Sequence, residues 1–209
     1  MYDAFGIVNS ASRNIYVEGM QDYRPIGAFS FLGRYRVIDF PISNMSNSGI
    51  DRIQVYVNQK PRSLVEHVGT GRHYNINSKS GRLHLLFSEA RAVNDLYNTD
   101  IASYLENMEY VRRLRNPYVV IAPNYMVYTI DYSSLIQTHV ESGADITLLY
   151  HAVDNAKDSY LSCNILNLNK QKGVLSIEPN HGNVKNRNIF MDTYIMKTEL
   201  FIELVYKAK

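Results

Sequence analysis

No tryptophan occurs in this chain of 209 residues, and Cys163 is its only cysteine. A single cysteine excludes an intrachain disulfide and any thiolate cluster around a metal. Cys163 lies in Leu161-Ser162-Cys163-Asn164-Ile165-Leu166, whose alternation reads as a strand, so a packed thiol is expected rather than a catalytic one. A surplus of charge is also missing. Lys and Arg number 22, Asp and Glu 20, for a formal net charge of +2. That balance gives no bulk attraction to nucleic acid or to an anionic membrane. No stretch approaches the ~18 consecutive apolar residues of a membrane helix. The start, Met1-Tyr2-Asp3-Ala4-Phe5, has no basic region ahead of an apolar run, so no secretory leader is expected. A reducing, cytoplasmic location follows as the expectation. His67, His73, His84, His139, His151 and His181 show no His-x₃-His spacing, which argues against a zinc site.

Tyrosine, by contrast, is abundant, with 17 copies. It combines apolar area with a polar tip and so suits oligomer surfaces. Basic residues are densest at Arg112, Arg113 and Arg115, where cations would complement a helix C-terminus.

The pattern along the chain is strand then helix, repeated. Tyr2 to Val8 reads as a strand and Asn9 to Tyr23 as a loop. Pro41 suits the start of a helix and Gly49 its C-terminal cap. Ile53 to Val57 alternates as a strand, and a helix is expected over Arg62 to Val68. Gly69 to Arg82 is a polar loop before a short strand, Leu83 to Phe87. From Asp100, residues Ile101, Leu105, Met108, Val111 and Leu114 keep helical spacing, with Thr99 or Asp100 as the cap. Asn116-Pro117 stops that helix. Tyr118 to Ala122 is continuously apolar, as a buried parallel strand requires. Asp131 to Ser142 reads as a helix closed by Gly143, and Ile146 to Tyr150 as another buried strand. Strands then dominate: Ser162 to Leu168, Gly173 to Ile177 and Ile189 to Met196, with Lys170 to Gly173 as a hairpin turn. Thr198 to Lys207 reads as a last helix. The expected class is α/β, a Rossmann-like domain with a mostly parallel mixed sheet over residues 1–209.

One segment is far more specific. Arg34-Tyr35-Arg36-Val37-Ile38-Asp39-Phe40-Pro41-Ile42-Ser43-Asn44, followed by Asn47-Ser48-Gly49-Ile50, resembles the Ile-Asp-Phe-Pro-x-Ser-Asn core of the glucose-1-phosphate adenylyltransferases, the sugar-nucleotide pyrophosphorylases of glycogen and starch synthesis. Weaker matches stay in order from about Tyr23 to the end. They include Arg24-Pro25, the Ser63-Leu64-Val65-Glu66-His67 helix, Val127 to Tyr132, Gly143 to Thr147 and Met191 to Ile195. The resemblance implies a nucleotidyltransferase fold, and a left-handed β-helix domain that lies beyond residue 209.

The departures from the family pattern bear on function. The family opens with a Gly-rich loop ending in arginine, whose backbone N–H groups cradle phosphates. Here the stretch is Asn9-Ser10-Ala11-Ser12-Arg13-Asn14, without glycine; Arg13 is a candidate for the remnant of that arginine. The family's catalytic strand ends in Gly-Asp-His. An ungapped register puts Asn124, Tyr125 and Met126 there, and a phenol with pKa near ~10 does not replace a carboxylate that binds Mg²⁺. The family's sugar-phosphate lysine sits in Glu-Glu-Lys-Pro, whereas Ser176-Ile177-Glu178-Pro179-Asn180 has none. Arg24, Tyr125 and Asn180 are therefore degenerate catalytic positions.

The resemblance implies the second, regulatory subunit type of bacterial glucose-1-phosphate adenylyltransferase, partnered with a catalytic subunit. No bound cofactor is expected in this chain, Mg²⁺ being used by the catalytic subunit. Two alternatives stand beside it: an active enzyme with a rearranged site, and a stand-alone sensor of a sugar phosphate or nucleotide. Arg13, Arg24, Arg34 and Arg36 are candidate phosphate or effector contacts, since arginine offers a bidentate fork. Equally, Arg34 and Arg36 can pair with Asp39 or Asp51 and fix the loop. Asp39 is expected to anchor structure, and His67 to line the nucleotide cleft or pack beneath it.

Overall fold

A computed structural model describes residues 3–10, 15, 17–57, 60–69, 71–76, 81–88 and 100–208. The chain gathers into two compact units, one of Met1–Thr147 with Ile195–Lys209 and one of Leu148–Tyr194.

In the larger unit the chain runs β1 (Ala4–Asn9), a hairpin of β2 (Ser30–Phe31) and β3 (Tyr35–Arg36), α1 (Asp39–Asn47), β4 (Arg52–Val57), α2 (Arg62–Val68) and β5 (Arg82–Phe87). There follow α3 (Asp100–Glu106), α4 (Met108–Arg112), β6 (Tyr118–Pro123) and α5 (Tyr132–Ser142). Four strands lie in the order β5-β4-β1-β6, all parallel. Phe5, Ile7 and Val8 of β1 and Val119 and Val120 of β6 are fully buried, as continuous apolar strands of a parallel sheet should be. Ile38 just ahead of α1, Ile42 and Met45 within it, and Leu64 and Val68 of α2 complete this core.

The helix expected from Asp100 to Leu114 is two helices. Asn107 interrupts it with φ −105° and ψ 12°. Its buried side-chain amide donates to Phe87 O and Ser103 O, each at 3.1 Å, tying the break to the end of β5. An apolar spacing that runs through such a polar residue does not reveal the interruption. The short β2–β3 hairpin, closed through Leu32 and Gly33 at positive φ, also falls in a stretch with no strand expectation.

In the smaller unit lie most of β7 (Ile146–Val153), then β8 (Asn164–Leu168), β9 (Val174–Pro179) and β10 (Arg187–Lys197), whose last residues belong to the larger unit. β8 pairs antiparallel with both β9 and β10. The expected turn at Lys170 to Gly173 is built by Asn169, whose Oδ1 accepts from the N–H groups of Gln171 and Gly173. β7 pairs with β10 and is half-exposed, with Ile146 at 40%; the buried strand expected there is corrected. β8 starts at Asn164, later than expected, because Tyr160 and Ser162 sit at positive φ in a turn before it. Cys163 follows that turn half-buried, its thiol pKa raised by burial, in keeping with a packed residue. α6 (Thr198–Lys207) closes the larger unit, and Thr198 anchors it by donating to Asn116 O at 2.6 Å. Parallel pairing in the larger unit and antiparallel pairing in the smaller give the expected α/β class.

Candidate active site

In open parallel sheets, ligands bind outside the carboxyl ends of the strands. Here those ends belong to β1 and β6. The two strands run in register from Ala4↔Tyr118 to Asn9↔Pro123, and the Asn124 N–H extends the ladder to Asn9 O at 2.9 Å. The corner thus carries two amides, Asn9 and Asn124. The Asn9 side chain donates to Asp100 Oδ2 at 3.3 Å, while Asn124 is 2% exposed. Oδ1 of each is buried without a hydrogen-bond partner among the described residues. Ser10 donates to Tyr56 O of β4 at 3.0 Å. Gly27 presses on the same corner: a Cβ there would lie 3.1 Å from Asn124 Nδ2 and from Leu64 Cδ1.

Tyr125 is the next residue. It packs with Ile15 against an apolar cluster of Ile26, Phe29 and Val37. That cluster comes from the segment after Arg24-Pro25, folded as a 3₁₀ turn over Ile26–Ala28. The position where the resemblance expects a metal-binding carboxylate therefore holds a ring set among aliphatic and aromatic carbons. A hard cation such as Mg²⁺ takes carboxylate, carbonyl or water oxygens. The amides of Asn9 and Asn124 supply no charge, and the Asp100 carboxylate is engaged by Asn9. Among the described residues, no group of three His, Cys, Asp or Glu side chains is placed to hold a metal ion. The residues present do not fit Mg²⁺ at Tyr125.

The motif of Arg34 to Asn44 is mostly committed to architecture. Asp39, at the first turn of α1, accepts the Arg36 N–H on Oδ2 at 2.8 Å. Its Oδ1 accepts from His67 Nε2 at 2.7 Å and from the Tyr74 hydroxyl at 2.6 Å. Burial first, then the bond to Asp39, push the Tyr74 pKa far above that of a free phenol. The anchoring expected of Asp39 is thus present, through His67 and Tyr74 as well as the backbone. Nothing in the local sequence points to those two partners. The Arg36 guanidinium donates to Ala28 O, and Arg34 lies over the Tyr35 ring, 5.7 Å from its centroid. Further along α1, buried Asn44 donates to Tyr128 O at 2.8 Å. Ser48 donates to Asn44 O and accepts the Tyr132 N–H, at 2.7 and 2.8 Å. Asp131 caps α5 through the Ser133 N–H at 2.9 Å, and the Ser133 hydroxyl first, then that N–H, hold its carboxyl below the usual range.

Of the candidate cations, Arg24 and Arg34 are exposed, Arg36 is half-buried and turned inward, and Arg13 lies outside the described residues. Asn180 belongs to the smaller unit. It is 3% exposed, and its amide donates to the carbonyls of Ala156, Ser159 and Tyr160 at 2.8, 3.3 and 3.0 Å. Its Oδ1 accepts the Gly182 N–H at 3.1 Å. Asn180 closes a loop; it offers no cation to a sugar phosphate.

Comparison with known proteins bears on the family and the fold. A family model described as nucleotidyl transferase matches residues 23–162. The chain belongs to that family. Among nucleotidyl transferase relatives, the glycogen biosynthesis protein GlgD of Geobacillus stearothermophilus is 34% identical over 152 residues, covering 70% of this chain and 43% of that protein. The glucose-1-phosphate adenylyltransferase of Clostridioides difficile (strain 630) is 31% identical over 170 residues, covering 80% and 43%. The chain spans less than half the length of these two relatives. A solved structure described as a glucose-1-phosphate thymidylyltransferase from Bacillus anthracis superposes with a TM-score of 0.70 over 96% of this chain and 74% of its own. At 12% identity it supports the nucleotidyltransferase fold alone. The resemblance carried by Arg34 to Ile50 is thus met by the relatives, and the Rossmann-like fold by the superposition. Among the described residues, no helix is long and apolar enough to cross a membrane.

Proposed function

We propose that this chain is the nucleotidyltransferase domain of a regulatory, non-catalytic subunit of glucose-1-phosphate adenylyltransferase. It would pair with a catalytic subunit that makes ADP-glucose from ATP and glucose 1-phosphate for glycogen synthesis in the cytoplasm. One observation carries the reading: Tyr125, at the position of the family's essential carboxylate, packs against Ile26, Phe29 and Val37. Metal charge stabilisation in phosphoryl transfer is worth several kcal/mol. At about 1.4 kcal/mol per tenfold, losing it costs several orders of magnitude in rate. The loop from Asn9, without glycine, and the inward-turned Asn180 support the same conclusion. Mg²⁺ then belongs to the catalytic subunit. Exposed Arg24 and Arg34 remain available for an anionic effector.

The test has two arms. The chain alone, free of other adenylyltransferases, is assayed with ATP, glucose 1-phosphate and Mg²⁺; no turnover is expected, and steady turnover refutes the proposal. The chain is then co-expressed with the catalytic subunit from the same source. Co-purification is expected. A chain that never associates, yet binds a sugar phosphate, is a stand-alone sensor.

A further inference from the structure

The β2–β3 hairpin ends in a leucine that is costly to this chain on two counts. Leu32 holds φ 51°, in the left-handed region that glycine enters freely and asparagine or aspartate tolerates. An aliphatic side chain there crowds its own backbone. Leu32 is also 83% exposed, so the chain buries little of it. Backbone strain of this kind persists where the surroundings impose it, and it gathers at ligand clamps and other working surfaces.

The surroundings do impose it. Ser30 pairs with Arg36 and Phe31 with Tyr35. Behind them the Val37 N–H donates to Phe29 O at 3.1 Å and the Ile38 N–H to Gly27 O at 3.0 Å. The Arg36 guanidinium donates to Ala28 O, and Asp39 accepts the Arg36 N–H. Phe31 meets Phe40 of α1 edge to face at 5.1 Å, and the Tyr35 ring lies 6.2 Å from that of Phe40. The hairpin is thus a stiff element seated on α1. Its tip needs no ordering on contact, which removes one cost of association.

The tip offers three groups. Leu32 is an aliphatic knob, and an anchor of that kind gains from burial in a pocket. Tyr35 is exposed, and the Arg34 guanidinium lies over its ring. Tyrosine and arginine are types that interfaces favour. Arg34 takes part in none of the ion pairs formed among the described residues, and residues 30–36 contain no acid. The matching surface is therefore an apolar pocket with a carboxylate at its rim. Two copies meeting tip to tip would set Arg34 against Arg34, a like-charge contact that disfavours self-association.

We propose that this tip docks the chain on a catalytic adenylyltransferase subunit, with Leu32 filling an apolar pocket of that subunit and Arg34 meeting a carboxylate beside it. The inference rests on the reading above that such a partner exists. It assigns Leu32 to the partner and not to this chain's own fold, so binding and stability should respond to its replacement in opposite ways. Arg24 then remains for an anionic effector.

The experiment titrates the full chain with the catalytic subunit from the same source, following heat, and records melting temperatures alongside. Loss of a buried leucine side chain should weaken association by about tenfold or more, read with Leu32→Asn. The same variant should melt no lower than the parent, because asparagine suits both that backbone and water. Leu32→Gly repeats the test with the residue the backbone most favours. Arg34→Glu should also weaken association, and added salt should weaken the parent more than it weakens Arg34→Glu. Undiminished association of both Leu32 variants overturns the proposal. So does a lower melting temperature or a failure to fold in both, which would return Leu32 to this chain's own structure. Self-association of the parent that is lost in Leu32→Asn would give the tip to a second copy and overturn it equally. A parent chain that never binds the catalytic subunit defeats the proposed function itself, and this inference with it.

Discussion

Tyr74 and Asp39 stand 35 positions apart, yet the Tyr74 hydroxyl donates to Asp39 Oδ1 across 2.6 Å. The same oxygen receives His67 and the other receives the Arg36 N–H, so a single carboxylate joins α1, α2 and the β2–β3 hairpin. Asp39→Ala leaves a buried hydroxyl and a backbone N–H without an acceptor. Unsatisfied groups of this kind cost about 1–3 kcal/mol each. The expected loss is about 2–4 kcal/mol, read as a lower urea midpoint with an unchanged slope. A loss under about 0.5 kcal/mol, the scale of an ordinary surface change, would show that the hub is not holding these elements.

Alkaline pH should unfold the protein cooperatively. Burial raises the pKa of Tyr56, and burial with the Asp39 bond raises that of Tyr74. A folded-state pKa above the unfolded value near ~10 means stability is complete below that pH and lost as pH rises above it. The phenolate absorbance of Tyr56 and Tyr74, read as the difference from Tyr56→Phe and Tyr74→Phe variants, should therefore appear together with the loss of secondary structure. Tyrosines 56 and 74 ionising well before unfolding would contradict this.

Acid acts through His139. It is 2% exposed, hydrogen-bonded through Nδ1 to Thr147 Oγ1 at 2.8 Å, with its ring edge-on to Tyr118. Burial, then the charge of Lys197, lower its pKa. The unfolded chain then binds the extra proton below about pH 6.5, so stability present above that pH is lost as pH falls. His84, lowered likewise, adds to the slope. His139→Gln should flatten the fall in melting temperature between neutral and mildly acidic pH; an unchanged slope would assign it elsewhere.

Tyr125→Asp should not create an active enzyme. Phosphoryl transfer needs positioning and charge stabilisation together, and the Asn9 loop and Asn180 remain as they are. The change also puts a carboxylate among Ile26, Phe29 and Val37, at a cost of about 1–3 kcal/mol. The expected result is no turnover and a lower melting temperature. Measurable activity from this single change would mark a recently disabled enzyme.

Asn180→Ala should loosen the turn from Ala156 to Cys163. Three carbonyls and the Gly182 N–H lose a buried partner, a cost of about 2–3 kcal/mol. Faster proteolytic cleavage within residues 156–163 is the readout. Asn180→Lys should be no better, since the position faces inward.

The elements with strong periodicity were legible beforehand. β1, β4, β6 and α5 follow from apolar runs, alternation and a closing Gly143, because local chemistry alone decides them. The break at Asn107 was not, since a carbonyl at Phe87 makes it and no short window contains both. The same limit hid the partners of Asp39, which come from α2 and from the turn at Tyr74. The departure from the family pattern at Tyr125 was readable, since one residue type there differs in chemistry from a carboxylate. Where that ring goes instead was not readable, because the hydrophobic cluster is assembled from three separate stretches.

Asn44 and Ser48 carry one consequence beyond stability. They are part of the segment that makes this chain easy to place among its relatives, and both spend their hydrogen bonds clasping α1 to the start of α5. The label and the chemistry thus reside in different atoms. A chain can shed the capacity to react and still wear the label intact, because the clasp is needed whether or not anything is turned over. Sorting such proteins into catalysts and companions therefore calls for inspecting position 125 and the loop after β1, where a lapse of function leaves its trace.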